Sequence, residues 1–304
     1  MLQFSSMREA LPVFKALGAE SRVQILELLY REGDKNLNEL AFRLGMTNSA
    51  ISLHIGKLEQ AGLIEIRSMP GKHGAMKLCR AVHDKLLVDL IPPTAENAYY
   101  DEIQIGHYTR CEAHPTCGLA SPAGIIGELD DPRYFAFPQR FGAQILWFST
   151  GFVEYELPNN LRAGEQPCTL SISMELSSEA PGFCEDYPSD IHFFLNGVPL
   201  GFWVSPGDFG ARRGRFSPEW WGGSMNQYGL LKNLIINRSG TFIDGSSKIG
   251  DVSIDDLHLD YNASLTLRIA VPPDTRNPGG LTLFGIGFGD YNQPIKVKMS
   301  YEQG

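Results

Sequence analysis

The sequence predicts a multidomain chain: a small N-terminal α+β domain of helices closed by a β-hairpin, then a larger, mainly antiparallel β-sandwich or jelly roll. Three observations carry that prediction. A length of 304 residues exceeds one ordinary domain. Apolar residues recur at helical spacing up to Leu58 and then give way to a short alternating hairpin. After Ile91-Pro92-Pro93-Thr94 the pattern changes to many short strand-like runs separated by Gly, Pro, Asn and Asp. The paired prolines stop a helix and favour extended chain, so the division is placed at residues 1–92 and 93–304.

In the first part, Leu11–Leu17 makes a short helix. Ala19, Glu20 and Ser21 lead into a second, whose Val23, Leu26 and Leu29, with Ile25 and Leu28, form its apolar face, and Gly33 ends it. Leu37, Leu40, Ala41 and Leu44 give a third helix, and Gly45 makes a tight turn. Thr47 or Asn48 caps the fourth helix, which buries Ile51, Ile55 and Leu58 before Gly62. Leu63–Arg67 alternates as a strand, residues 70–74 turn, and Ala75–Arg80 returns. Residues 82–90 read as one more short helix.

Two short helices around a tight turn, followed by a basic hairpin, are the pattern of a winged helix-turn-helix, in which the second helix enters the major groove of duplex DNA. Burying Ile51, Ile55 and Leu58 turns Ser49, Ser52, Leu53, Gly56, Lys57 and Gln60 outward. Hydroxyls reach phosphates or base edges and Lys57 neutralises a phosphate, while Arg67, Lys72, His73 and Lys77 supply hairpin contacts. The bland alternative is a solvated polar face on a protein-binding module.

Residues 14–66, FKALGAESRVQILELLY through LNELAFRLGMTNSAISLHIGKLEQAGLIEI, resemble the ArsR-type winged-helix repressors of bacteria. The resemblance implies that Thr47, Asn48, Ser49, Ser52, His54 and Lys57 face the groove. It also implies a homodimer on a double-stranded operator with an inverted repeat, repressing until an effector arrives. Two departures stand out. Leu53 occupies a position that is often basic in the family, so it either touches a thymine methyl or does not read DNA. Metal-sensing members carry paired cysteines in the third helix, and Asn36–Leu40 has none. His54 is either half-buried against the domain or a base contact.

Residues 1–92 carry 12 Lys and Arg against 10 Asp and Glu, and the remainder 14 against 25. The acidic second part is thus a poor surface for phosphates, and DNA contact is expected in the first part alone. Strand-like runs there include Ala143–Thr150, Phe152–Leu157, Thr169–Leu176, Asp190–Leu195, Leu265–Val271 and Ile295–Tyr301. Leu230–Ile236 reads as a strand or a helical turn. A β-sandwich of about 210 residues joined to a DNA-binding module is most simply an effector and dimerisation domain. By resemblance, the chain also looks like larger ArsR-like regulators of saccharide-using bacteria with an appended jelly roll.

Three of the four tryptophans, Trp203, Trp220 and Trp221, fall within one Gly-rich stretch together with Asp208, Arg213, Asn226, Gln227 and Tyr228. Sugar C–H faces stack on aromatic rings and sugar hydroxyls bond to such polar groups, so these eight residues are a candidate saccharide pocket. The alternative is that the aromatics pack the core. A second constellation, His107, Cys111, His114 and Cys117, has zinc-ligand chemistry at a spacing unlike known zinc modules, and leaves a metal-responsive repressor as an alternative.

Five cysteines in a long chain do not suggest a disulfide framework. No apolar run is long enough to span a membrane and the N-terminus has no secretory pattern, so a cytoplasmic protein is expected. Gly285–Gly289 lacks the following helix of a dinucleotide loop, and Glu154, Glu156 and Asp208 are not a recognisable glycosidase pair. The expectation is a non-enzymatic regulator needing no cofactor. Its rival is a carbohydrate-active or protein-binding β domain with an N-terminal assembly module.

Overall fold

The computed structural model describes residues 2–4, 6–71, 74–83, 85–88, 90 and 97–303. The chain divides into two compact units, Met1–Ala95 and Glu96–Gly304. Unit 1 runs β1 (Leu2–Phe4), α1 (Met7–Leu17), α2 (Glu20–Glu32), β2 (Lys35–Asn36), α3 (Leu37–Leu44), α4 (Asn48–Gln60), β3 (Ile64–Gly71), β4 (Gly74–Ala81) and β5 (Leu86–Val88).

The helix boundaries follow from local chemistry. Ser6 caps α1, accepting from the Glu9 N–H at 3.3 Å. Asn36 and Glu39 form a reciprocal capping box at the start of α3, so two otherwise orphaned N–H groups are satisfied at once. Gly45 ends α3 in the left-handed region, with φ 63°. Thr47, rather than Asn48, caps α4: its Oγ1 accepts the Ala50 N–H at 3.2 Å. One apolar cluster joins the elements, with Ile25, Leu40, Ile51, Ile55 and Leu58 at its centre. β3 and β4 pair antiparallel from Ile64↔Ala81 to Gly71↔Gly74, and β2 adds a third strand beside β4.

The short helix expected over 82–90 does not form. Leu86–Val88 is instead a strand, paired in parallel with Leu2–Phe4. Apolar residues at 86–88 suit either period over so short a run, and only the distant N-terminal partner decides. The proline boundary at residues 91–94 lies outside the described residues.

Unit 2 contains β6 (Asn97–Ile103), β7 (Arg110–Ser121), β8 (Gly124–Ile125), β9 (Ile145–Leu157), β10 (Glu165–Ser177), β11 (Ser189–Leu195) and β12 (Val198–Ser205). It continues with β13 (Leu230–Asn237), β14 (Gly240–Ile243), β15 (Ser247–Gly250), β16 (Leu265–Val271), β17 (Leu281–Phe284) and β18 (Ile295–Gln303). All its pairings are antiparallel and join 13 strands.

One layer has β12, β11, β16, β9 and β7 in order; the other has β15, β14, β13, β10, β18 and β6. β17 lies between β9 and β10 and links them. Ile191, Phe193, Ile269, Val153 and Tyr155 from the first layer share a core with Leu170, Ile172, Leu234, Ile236, Val297 and Met299 from the second. That is a β-sandwich. Leu230–Ile236 is therefore a strand, fixed by pairing with β10 and β14. The two runs expected at 143–150 and 152–157 are one strand: Gly151, at φ 123°, bends β9 without breaking its pairing to β7.

Candidate functional site

α4 presents the face expected of it. Thr47, Asn48, Ser49, Ser52, Leu53 and Lys57 are exposed, while Ile51, Ile55 and Leu58 are buried. Leu37, Asn48, Ser49, Ser52 and Leu53 line an open concavity. Asn48 Nδ2 donates to Asn38 Oδ1 at 2.9 Å, which fixes the amide at the helix entry. His54 is half-buried, and its Nδ1 is enclosed without a hydrogen-bond partner in the protein. Gly56 faces open space.

Lys57 lines a separate depression with Arg8, Lys15, Arg22 and Gln60. In the hairpin, Lys77 is exposed and Arg67 is exposed beside Glu65 at 3.2 Å. Lys72 and His73 lie outside the described residues.

One residue that the sequence reading passed over stabilises the arrangement. Arg22 is buried, and its guanidinium donates to the carbonyls of Lys15, at 2.8 Å, and Ala16. A cation thus satisfies the C-terminal carbonyls of α1 and locks it to α2. The signal was available: an arginine in the first turn of a helix, where a cation is out of keeping with the dipole.

Residues 19–65 match the family model described as bacterial regulatory protein, arsR family. The match covers the helix-turn-helix segment and not the rest of the chain. Among solved structures, a homodimeric winged helix-turn-helix DNA-binding domain from Mycobacterium bovis, a possible ArsR-family transcriptional regulator, is 28% identical. It covers 26% of this chain and 68% of its own, with a TM-score of 0.23.

The CBM36-1 domain of a multidomain xylanase from the hindgut metagenome of Trinervitermes trinervoides is 10% identical, covering 67% of this chain and 96% of its own, with a TM-score of 0.29. A carbohydrate-binding module CBM36 in complex with calcium and xylotriose is also 10% identical, covering 66% and 99%, with a TM-score of 0.27. At such scores these likenesses carry no functional weight. No functionally curated protein matches the chain.

In the β unit, the eight residues expected to make a single pocket fall into different surroundings. Trp203, on β12, packs against the main core, with Lys232 Nζ 4.9 Å from its ring centre. Trp221 belongs to a second cluster with Trp147, Phe284 and Phe288, and its Nε1 donates to Asn226 O at 2.6 Å. Trp220 is 40% exposed, edge-on to Trp221 at 5.5 Å, and donates to Pro122 O at 2.8 Å. Arg213 turns back to Ser217 O. Gln227 is buried and donates to Gly222 and Met225 carbonyls. Tyr228 stacks on Phe209 beneath the Arg212 guanidinium. Asp208 is fully buried, accepting from the Ala180 N–H at 3.0 Å.

The physical reason is that strand and loop lengths, invisible to a sequence window, send Asp208, Trp221, Asn226 and Gln227 inward and leave Arg213 and Trp220 exposed. The eight are therefore shared between the packed interior and the surface.

Asn226, one of the eight, borders a cavity of about 220 Å³ with Leu129, Asp130, Trp147, Glu179, Ser224 and Met225. Gly118 makes room for Trp147: a Cβ there would lie 2.2 Å from the indole ring. Asn226 Nδ2 donates to Glu179 Oε2 at 3.0 Å, and Thr116 and Thr282 hydroxyls donate to the same carboxyl group at 3.1 Å each. Burial, reinforced by nearby Asp208, raises the Glu179 pKa well above the usual carboxylate range. Burial likewise pushes Asp208 up to about 7, against the opposing Ala180 N–H. The cavity lining therefore offers the Trp147 indole, the Asn226 amide and the Asp130 and Glu179 carboxyl groups.

The His/Cys constellation does not assemble. His114 is exposed and bonds Glu112 at 3.0 Å, and His107 packs against Phe141. Cys111 and Cys117 point into the core, where burial pushes both thiols up to about 12. Among the described residues, no group of three or more His, Cys, Asp or Glu is placed to hold a metal. Glu154 is occupied by Arg268, at 2.7 Å. No helix among the described residues is long and apolar enough to cross a membrane.

Proposed function

We propose that this protein is a transcriptional regulator that binds a double-stranded operator through α4 and its hairpin, and whose affinity changes when a small molecule occupies the β unit. The observation that carries the reading is the exposed, hydroxyl-rich face of α4 inside the ArsR-family segment. Repression is the direction proposed. Homodimerisation on an inverted repeat is supported by Met7, Leu11 and Phe14, which leave an apolar stripe exposed along α1. A cytoplasmic location follows from the same role.

The effector proposed is a saccharide, held at the cavity beside Trp147 rather than by the whole Trp203–Tyr228 stretch. A space of about 220 Å³, below the roughly 300–1,000 Å³ of drug-sized sites, suits one sugar ring. The indole supplies an apolar face, and Asn226, Asp130 and Ser224 supply hydrogen bonds. An effector that favours one dimer geometry changes operator affinity by a coupling of about 1–3 kcal/mol, and DNA weakens effector binding in return.

A thermal-shift screen over neutral sugars, nucleosides and divalent metals tests the input. A sugar should raise the melting temperature of the wild type and not of Ser224→Trp, which fills the cavity from an exposed position. Stabilisation by a metal alone, or an equal sugar response in both proteins, would contradict the saccharide reading.

A further inference from the structure

α4 carries one large apolar side chain that the packing of its unit does not use. Leu53 is 61% exposed, whereas Ile51, Ile55 and Leu58 are at most 2% exposed. It sits in the open concavity with Leu37, Asn48, Ser49 and Ser52, and no charged side chain shares that surface. The basic residue of the helix, Lys57, borders a different depression.

This combination restricts what the concavity can read. Guanine is selected in the major groove by a bidentate cation at O6 and N7, and the concavity holds no cation. Leucine offers only dispersion and burial. On the major-groove edges of the four base pairs, the apolar group is the C5-methyl of thymine. Asn48 is the one amide in the same concavity, and an amide suits the N6 and N7 of adenine. Both side chains therefore favour A·T pairs over G·C pairs.

We propose that Leu53 is a specificity-determining residue that packs on a thymine methyl in each operator half-site. This rests on the DNA-binding reading of α4. A leucine here replaces charge-based readout with methyl readout. Phosphate neutralisation is left to Lys57 and the hairpin, so affinity and base choice are carried by different side chains.

The test starts with selection of binding sites from randomised duplex DNA by the full chain. Each thymine of the selected site is then replaced by deoxyuridine, which keeps the pairing and removes the methyl. One replacement in a single half-site should lower wild-type affinity about four-fold, the scale of one buried methyl group. Leu53→Ala should lose that sensitivity while keeping its thermal transition, because the side chain is exposed. Leu53→Arg should select guanine at the same position.

Equal responses of wild type and Leu53→Ala to every replacement would overturn the proposal while leaving DNA binding intact. A selection that enriches no duplex would overturn the DNA-binding reading itself, and this proposal with it.

Discussion

Thr47 and Lys57 separate two duties on one helix, since Thr47 Oγ1 holds the first turn together and Lys57 only reaches outward. Thr47→Ala removes a cap and should cost about 1 kcal/mol of stability in urea denaturation. Lys57→Ala should leave stability unchanged. It should weaken operator binding across sequences alike and reduce the slope of log K against log salt by about 2, one phosphate contact for each protomer of the dimer.

At the same scale, the buried carboxyl groups give unit 2 a definite pH dependence. Burial raises Glu175 to about 8, against N–H donors from Gly229, Asp290 and Tyr291, and raises Asp208 to about 7. Their unfolded values are near 4, so between about pH 4 and 8 the folded state binds more protons than the unfolded one. Stability must therefore fall as pH rises through that window, the reverse of a salt-bridged carboxylate. Thermal melts from pH 5 to 8 should show the fall, and Asp208→Asn should flatten part of it. An unchanged slope in the variant would show that Asp208 is not responsible.

The elements of unit 1 were legible because their reasons are local. The spacing of Leu40, Ala41, Ile51, Ile55 and Leu58, the turn at Gly45 and the cap at Thr47 all lie within a few residues of what they specify. β5 was misread because its partner, β1, is some eighty residues away. In unit 2 the strands were legible and the orientation of the tryptophans was not. Trp221 faces Trp147 and Phe288 across strands and loops far apart in the chain, while its neighbour Trp220 turns toward Pro122 and solvent. The cavity itself draws on residues from 129 to 226, and only the assembled sandwich brings Trp147 and Glu179 beside Asn226. Trp221→Ala should therefore cost about 3–5 kcal/mol in denaturant unfolding, as for a buried Trp, and Trp220→Ala clearly less. Equal costs would contradict the packing described.

For the whole molecule, the division of charge agrees with the proposed division of labour. The excess of acidic residues lies in the β unit, and α4, the helix proposed to read DNA, lies in the smaller unit, whose net charge is slightly positive. The match to the arsR-family model covers residues 19–65, and in the proposed function it marks the output, with the input sought in the larger unit.

The most direct measurement is equilibrium binding of the full chain to duplex DNA from upstream of its own gene, against unrelated duplex of equal length, between 50 and 200 mM salt. The account predicts tighter binding to the upstream duplex at every salt concentration, with affinity falling steeply as salt rises. Equal affinity for both duplexes, or none for either, would contradict it.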